Sequence, residues 1–250
     1  KSVTNAVSSY LAVTNTLRLH DEYLWGIGEV PSSWPAAALE AQAIAARTYA
    51  LGKMSRIRSE CDCNIYNSTV DQNFVGYSKE IEKIYGIKWK EAVNRTFVDD
   101  ANALVVTLDG KPISAFYASS TGGATQNVKD VWGSSIAYLQ GVPDPWSLDT
   151  TINPRFAFWE RVVTQKDIAA AFALKDVVTY RIDTRSKTGS VMSITAASSD
   201  GRTATLTGEL FRARTKLPST WFKDPVNAPL ISEGAICDNS MRFVKQFCYE

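Results

Sequence analysis

Apolar and small residues recur at helical spacing from position 36 to 51, where Leu39, Ala43, Ala46 and Ala50 fall on one face. The spacing predicts a central, buried helix ending near Gly52. Ser32-Ser33-Trp34-Pro35 opens it, with small polar residues to cap the end and Pro35 suited to the first turn. Gln42 and Arg47 lie on this helix and must find polar partners near the core, since an unpaired buried polar group is costly. Residues 61–77 are rich in Asn, Asp, Ser and Thr and read as an ordered loop. A second helical stretch is expected over 78–96, broken at Gly86.

The period then changes to two. Residues 104–108 and 112–117 flank Asp109-Gly110, the signal of a type I′ hairpin. The second strand delivers the chain into Ser119-Ser120-Thr121-Gly122-Gly123-Ala124-Thr125, whose paired glycines allow a ligand or another backbone to come close. A loop-rich stretch near 143–155 marks either a sub-boundary or a long excursion. Thr164 and Asp167 form a capping box with Asp in place of Glu, opening a short helix through Ala173. Strands are expected at 177–183, 190–197, 203–207 and 218–222, with a short helix at 208–215. The fold class is α+β: a central Ala-rich helix packed with antiparallel hairpins, and a strand-rich C-terminal half. Residues 1–222 read as the main domain and 223–250 as a tail closed by Cys237 and Cys248.

Composition narrows the function. Hydrophobic content of 45% and charged content of 21% suit a soluble globular protein with a sizeable core. A formal net charge of +1 supplies no basic field for a nucleic-acid backbone. No apolar run reaches the roughly 18 residues a membrane span requires, and Lys1 opens the chain without a recognisable signal peptide. The protein is therefore either cytosolic or has had a targeting segment removed. Four cysteines favour the second option if they pair as disulfides, Cys237 with Cys248 being the easier bridge and Cys61 and Cys63 lying one residue apart. Four buried thiols are the alternative. Zinc is the weaker option, because His20 is the single histidine and no CxxC repeat is present. No metal or other cofactor is expected.

The candidate chemistry centres on Glu29, between Gly28 and Val30-Pro31 and flanked by Trp25 and Trp34. Burial beside aromatic surface keeps a carboxyl protonated, as a general acid requires, whereas the positive end of the following helix acts in the opposite direction. Spacing alone leaves open a carboxylate that caps the helix or pairs with an arginine. A Ser-His-Asp triad would have to use His20 and is a poor reading.

The segment Tyr23-Leu24-Trp25-Gly26-Ile27-Gly28-Glu29-Val30-Pro31-Ser32-Ser33-Trp34-Pro35, followed by Glu40-Ala41-Gln42-Ala43-Ile44-Ala45-Ala46-Arg47-Thr48-Tyr49-Ala50, resembles the signature of the SpoIID/LytB family. Asp71-Gln72, Gly76-Tyr77, the run from Phe116 to Thr125, Val131-Trp132-Gly133 and the stretch from Leu206 to Arg212 resemble its later blocks. The resemblance implies a bacterial envelope protein, acting in sporulation or wall remodelling as a lytic transglycosylase or an amidase enhancer. It implies peptidoglycan glycan strands as substrate and a cell-wall amidase as a partner. Carried over, Glu29 is the catalytic acid and base, Gln42 and Arg47 orient it, and Gln72, Tyr117, Ser119, Ser120, Gly122, Gly123 and Thr125 line the substrate groove. The loop that holds a His and Cys pair in some members contains no His here, so no metal is carried over. The Cys61-Asp62-Cys63 element fits an exported protein.

Overall fold

The small-residue stripe forms helix α1, Ala36–Lys53, with Leu39, Ala43, Ala46 and Ala50 all buried. Its N-terminus carries no side-chain cap; Pro35 stands at the cap position, and the Ser32 hydroxyl donates instead to Glu82 Oε2 at 3.1 Å. The computed structural model describes residues 2–4, 9–224, 226–227 and 241–244, and the expected Cys237–Cys248 bridge lies outside them. The chain divides into two compact units, Lys1–Tyr117 and Ala118–Glu250.

In the first unit, strands β1, Ser2–Thr4, and β2, Ser9–Leu11, pair antiparallel, and α1 packs on α2, Ile84–Arg95. Their shared core holds Leu24, Ile27, Leu39, Ala43, Trp89 and Val93. The second helix starts six residues later than its expected start at Ser78, after a 3-10 turn at Gly76–Lys79 and a positive φ at Lys83. Gly86 lies within α2 and does not break it. A Cβ there would stand 2.0 Å from the Glu80 carbonyl oxygen, so the missing side chain is what lets the preceding turn close onto the helix.

The hairpin forms around Asp109-Gly110, both at positive φ, but its strands β3, Thr107–Leu108, and β4, Lys111–Pro112, are shorter than the alternation predicts. The reason is competition for backbone groups. The Leu104 carbonyl accepts from Arg47 Nη1 at 2.8 Å, and the Val106 N–H donates to Thr48 Oγ1 at 3.0 Å, so α1 takes what a longer ladder would have used.

The second unit contains α3, Val128–Trp132, and β5, Glu160–Val163, followed by α4, Gln165–Phe172. The Thr164 hydroxyl accepts from the Asp167 N–H at 3.1 Å, as the capping pattern predicts. Strands β6, Thr179–Arg185, β7, Val191–Ala197, and β8, Thr203–Thr207, form an antiparallel meander in that order, continued by α5, Gly208–Thr215. Its core gathers Ile168, Phe172, Ile194, Phe211, Leu217 and Phe222. Strands β9, Val226–Asn227, and β10, Met241–Val244, extend β5 in the order β5-β10-β9.

Residues 218–222 are not the expected strand. Trp221 and Phe222 are buried as core plugs, and the Val191 N–H donates to the Thr220 carbonyl in a single contact and not a ladder. The stretch 143–155 is bonded back to the preceding loop: the Asp144 N–H donates to the Gly123 carbonyl at 2.8 Å and Asn153 Nδ2 donates to Ser120 Oγ at 2.9 Å.

Candidate functional site

Gly28 and Glu29 are held by a short antiparallel pairing with Asn73 and Phe74. The Gly28 N–H donates to the Asn73 carbonyl at 2.8 Å, Asn73 Nδ2 donates to the Gly28 carbonyl at 3.1 Å, and Ile27 bridges to Phe74. Gly26 makes this approach feasible, since a Cβ there would lie 2.3 Å from a ring carbon of Phe74. That ring stacks on Tyr23, with centroids 5.5 Å apart. On the other flank, buried Lys79 donates from Nζ to the Val30 carbonyl at 2.9 Å. The residues on both sides of Glu29 are thus fixed by partners distant in sequence.

The half-buried Glu29 carboxyl is asymmetric. Oε1 accepts from the Asn73 N–H at 2.7 Å and from the Tyr117 hydroxyl at 3.3 Å. No hydrogen bond to Oε2 is found among the described residues, and Glu29 itself is only partly buried. Among the described residues Glu29 neither caps α1 nor pairs with a basic side chain, so the two bland readings left open by spacing do not apply. Trp25 and Trp34 differ from each other: Trp25 packs against the core with Lys90 Nζ 3.9 Å from its ring centroid, whereas Trp34 is largely exposed.

Tyr117 and Gln72 continue the network. Gln72, fully buried, donates from Nε2 to the Tyr117 hydroxyl at 2.8 Å and accepts at Oε1 from the Tyr23 hydroxyl at 2.7 Å. A directed chain therefore runs from Tyr23 through Gln72 and Tyr117 to Glu29. Burial of its hydroxyl pushes the Tyr117 phenol up to about 12; Gln72 works in the opposite direction and the Glu29 carboxylate adds to the rise. Burial also holds the Tyr23 phenol well above its ordinary range, helped by Tyr117. Both phenols therefore stay protonated donors at neutral pH. Tyr117 as a residue is 36% exposed, so its ring can meet a ligand while its hydroxyl serves Glu29.

The remaining expected residues separate into two groups. Gln42 turns its amide toward the Tyr117 hydroxyl, but its buried Nε2 completes no hydrogen bond. Arg47 is not placed to orient Glu29 or to touch a substrate. It is 1% exposed, donates to the Leu104 carbonyl and to Thr96 Oγ1 at 2.8 Å each, and lies 5.5 Å from the Phe97 ring centroid. Burial without a carboxylate partner pulls its guanidinium down to about 10, so its role is to join α1 to the Thr96–Leu104 region. His20, the histidine of the rejected triad, packs edge-on against Phe97.

Ser119, Ser120, Gly122, Gly123 and Thr125 belong to the second unit and are described there by themselves. Ser119, Ser120 and Gly122 line a cavity of about 320 Å³ with Phe156 and Trp159. Its loop is clamped from within the unit: Thr121 Oγ1 donates to Asp144 Oδ2 at 2.6 Å, the Gly123 N–H donates to Ser147 Oγ at 2.7 Å, and Thr125 Oγ1 accepts from the Val142 N–H at 2.9 Å. Cys61 and Cys63 are joined by a disulfide. No group of three or more metal-ligating side chains occurs among the described residues.

Sequence reasoning missed Asn73, Tyr23 and Asp71. Asn73 acts on Glu29 through its backbone N–H, which no side-chain pattern reports. Asp71 accepts from Arg58, Tyr49 and the Tyr66 N–H, and its position beside Gln72 in a polar loop was the available signal.

The family model for the stage II sporulation protein SpoIID matches residues 8–98, which hold Glu29, Gln72 and Asn73. The chain is 29% identical over 193 residues to the amidase enhancer of Bacillus subtilis, covering 70% of this chain and 24% of that protein. It is 31% identical over 134 residues to stage II sporulation protein D of Bacillus subtilis, covering 50% of this chain and 38% of that protein. An uncharacterised protein of Brachyspira hyodysenteriae is 31% identical over 136 residues, with 53% and 33% covered. The chain thus spans well under half the length of these relatives.

Proposed function

Because the chain belongs to the SpoIID/LytB family, we propose that it acts on the bacterial cell wall as a lytic transglycosylase, cleaving glycan strands between MurNAc and GlcNAc with Glu29 as acid and base. The observation that carries this reading is the asymmetric carboxyl group of a partly buried residue: Oε1 is pinned by Asn73 and Tyr117, while no hydrogen bond to Oε2 is found among the described residues. A proton on Oε2 is free to move to the glycosidic oxygen as the bond from MurNAc C1 to that oxygen breaks. The MurNAc C6 hydroxyl oxygen then bonds to C1, and its proton returns to Oε2, leaving a 1,6-anhydro end. No water is consumed and no second carboxylate is required, in contrast to ordinary glycosidases. Asp71, the neighbouring candidate for such a second group, has a side chain 1% exposed and committed to Arg58, which supports the one-carboxylate scheme. Peptidoglycan strands are the substrate class, and the cell envelope or exterior is the setting; no helix of the described residues is long and apolar enough to cross a membrane.

The test is digestion of purified glycan strands followed by mass spectrometry. Anhydro-muropeptides should appear with the wild type and fall by at least about a thousandfold with Glu29→Gln, which keeps the hydrogen bonds but has no proton to give. Equal product from both proteins would overturn the assignment.

A second reading, favoured by the relative that carries the name amidase enhancer, is a wall-binding module that stimulates a cell-wall amidase. It expects Glu29→Gln to stimulate a partner amidase as well as wild type. Loss of stimulation in that variant would reject it.

A further inference from the structure

Three consecutive residues at the end of the polar loop play different parts. Gln72 holds Tyr117, and Asn73 holds Glu29. Asp71, just before them, has its hydrogen bonds elsewhere. Its carboxylate accepts from Arg58 Nη1 at 2.7 Å and Nη2 at 2.9 Å, from the Tyr49 hydroxyl at 2.8 Å and from the Tyr66 N–H at 3.0 Å. Tyr49 lies on α1, so these bonds tie the loop to the central helix. Burial alone would raise the Asp71 carboxyl, but the donors from Tyr66, Arg58 and Tyr49 outweigh it and hold the group below the usual carboxylate range.

Arg58 is itself fixed in place. Its N–H donates to the Cys63 carbonyl at 2.8 Å, its carbonyl accepts from the Asp62 N–H at 2.8 Å, and the Cys61–Cys63 disulfide closes that turn. Its guanidinium lies 5.0 Å from the Tyr66 ring centroid. Asp71 directly precedes Gln72 and Asn73, so tying its side chain to Tyr49 of α1 and to Arg58 restricts the start of the segment that carries both. The two donors that reach Glu29 Oε1, the Asn73 N–H and the Tyr117 hydroxyl held by Gln72, thus depend on residues that directly follow this carboxylate in the chain.

Resting on the reading of Glu29 as the acid, we propose that Asp71 is the positioning residue of the site and that the disulfide-closed turn bearing Arg58 is its brace. The residue acts through Asn73 and Gln72 and contacts no substrate. Its effect should fall on the step that needs Glu29 aligned and leave glycan binding in place.

On the full chain, Asp71→Asn should lower kcat on glycan strands by about a hundredfold, the size of effect that misplacing a reacting group produces. KM should stay within about twofold, because binding common to ground and transition states is retained. Arg58→Ala and the double change Cys61→Ser with Cys63→Ser should lower kcat in the same direction, and Arg58→Lys should recover part of the loss. Amide hydrogen exchange at Asn73, whose N–H is held by Glu29, should quicken by about tenfold in Asp71→Asn, as for losing one hydrogen bond. That readout requires no turnover. Unchanged Asn73 exchange in Asp71→Asn, or wild-type kcat in that variant while Glu29→Gln is inactive, would overturn the positioning role alone. Wild-type cleavage by Glu29→Gln would instead remove the acid assignment, and Asn73 exchange would still decide the case for Asp71. Should Asp71→Asn fail to fold, Arg58→Lys and Arg58→Ala carry the same two measurements.

Discussion

Oε1 and Oε2 of Glu29 have different surroundings, and the difference is built from one backbone N–H and one phenol. The Asn73 donor is short and cannot be removed by changing a side chain. The Tyr117 donor, at 3.3 Å, is the longer and the removable one. Tyr117→Phe should therefore lower kcat by about tenfold, the worth of one hydrogen bond, and steady-state kinetics on glycan strands checks it. A loss as deep as that of Glu29→Gln would mean that the phenol takes part in proton transfer. At this scale the sequence was informative where a side chain makes the decisive contact, and Glu29, Gln72 and Tyr117 do come together in one hydrogen-bonded chain. It was uninformative where the main chain makes that contact, as at Asn73. Arg47 shows the opposite failure. A cation on the same helix as Gln42 suggested a partner for the acid, yet its Nη1 and Nη2 donate to the Leu104 carbonyl and to Thr96 Oγ1, and its buried Nε finds no partner among the described residues.

The elements divide by how local their cause is. Helix α1 was legible because its stripe of small residues is a local pattern with one geometric solution, and the Thr164 and Asp167 cap was legible for the same reason. Residues 104–106 read as a full strand, but their backbone groups are claimed by Arg47 and Thr48 from across more than fifty positions. Residues 218–222 read as a strand, but their consecutive Trp221 and Phe222 serve as a core plug. The loop that carries Gln72 and Asn73 has no repeating pattern, and its shape depends on the Asp71 carboxylate. That dependence has a sign in pH. The folded Asp71 titrates below its unfolded value, so its stabilisation is fully present above the unfolded pKa of about 3.9 and is lost as pH falls through the lower, folded value. Urea unfolding followed from pH 6 down to 2 should show wild-type stability dropping below about pH 4, and Asp71→Asn should flatten that part of the curve. Parallel curves for the two proteins would show that Asp71 does not contribute through its charge.

For the molecule as a whole, the near balance of 27 basic and 26 acidic residues bears directly on what it can bind. A protein that holds a polyanion releases counterions, and its affinity falls steeply with salt. A protein that holds neutral sugar rings through hydroxyls and aromatic faces releases few. The features available here are of the second kind: one carboxyl group with phenol and amide partners in the first unit, and a cavity lined by serines, Phe156 and Trp159 in the second. Long-range attraction would be weak in any case, because charges farther apart than about 10 Å are largely screened at about 0.1 M salt. Binding of the inactive Glu29→Gln variant to glycan strands freed of their peptides, whose charges are the MurNAc lactyl carboxylates, should therefore change by less than about twofold between 0.05 and 0.5 M salt if hydroxyls and ring faces carry the recognition. Isothermal titration calorimetry or a pull-down on purified strands measures this directly. A fall of about tenfold or more over that range would show that contacts to charge, such as the lactyl carboxylates, carry the binding, and recognition through hydroxyls and ring faces would have to be given up even if Glu29 proved essential.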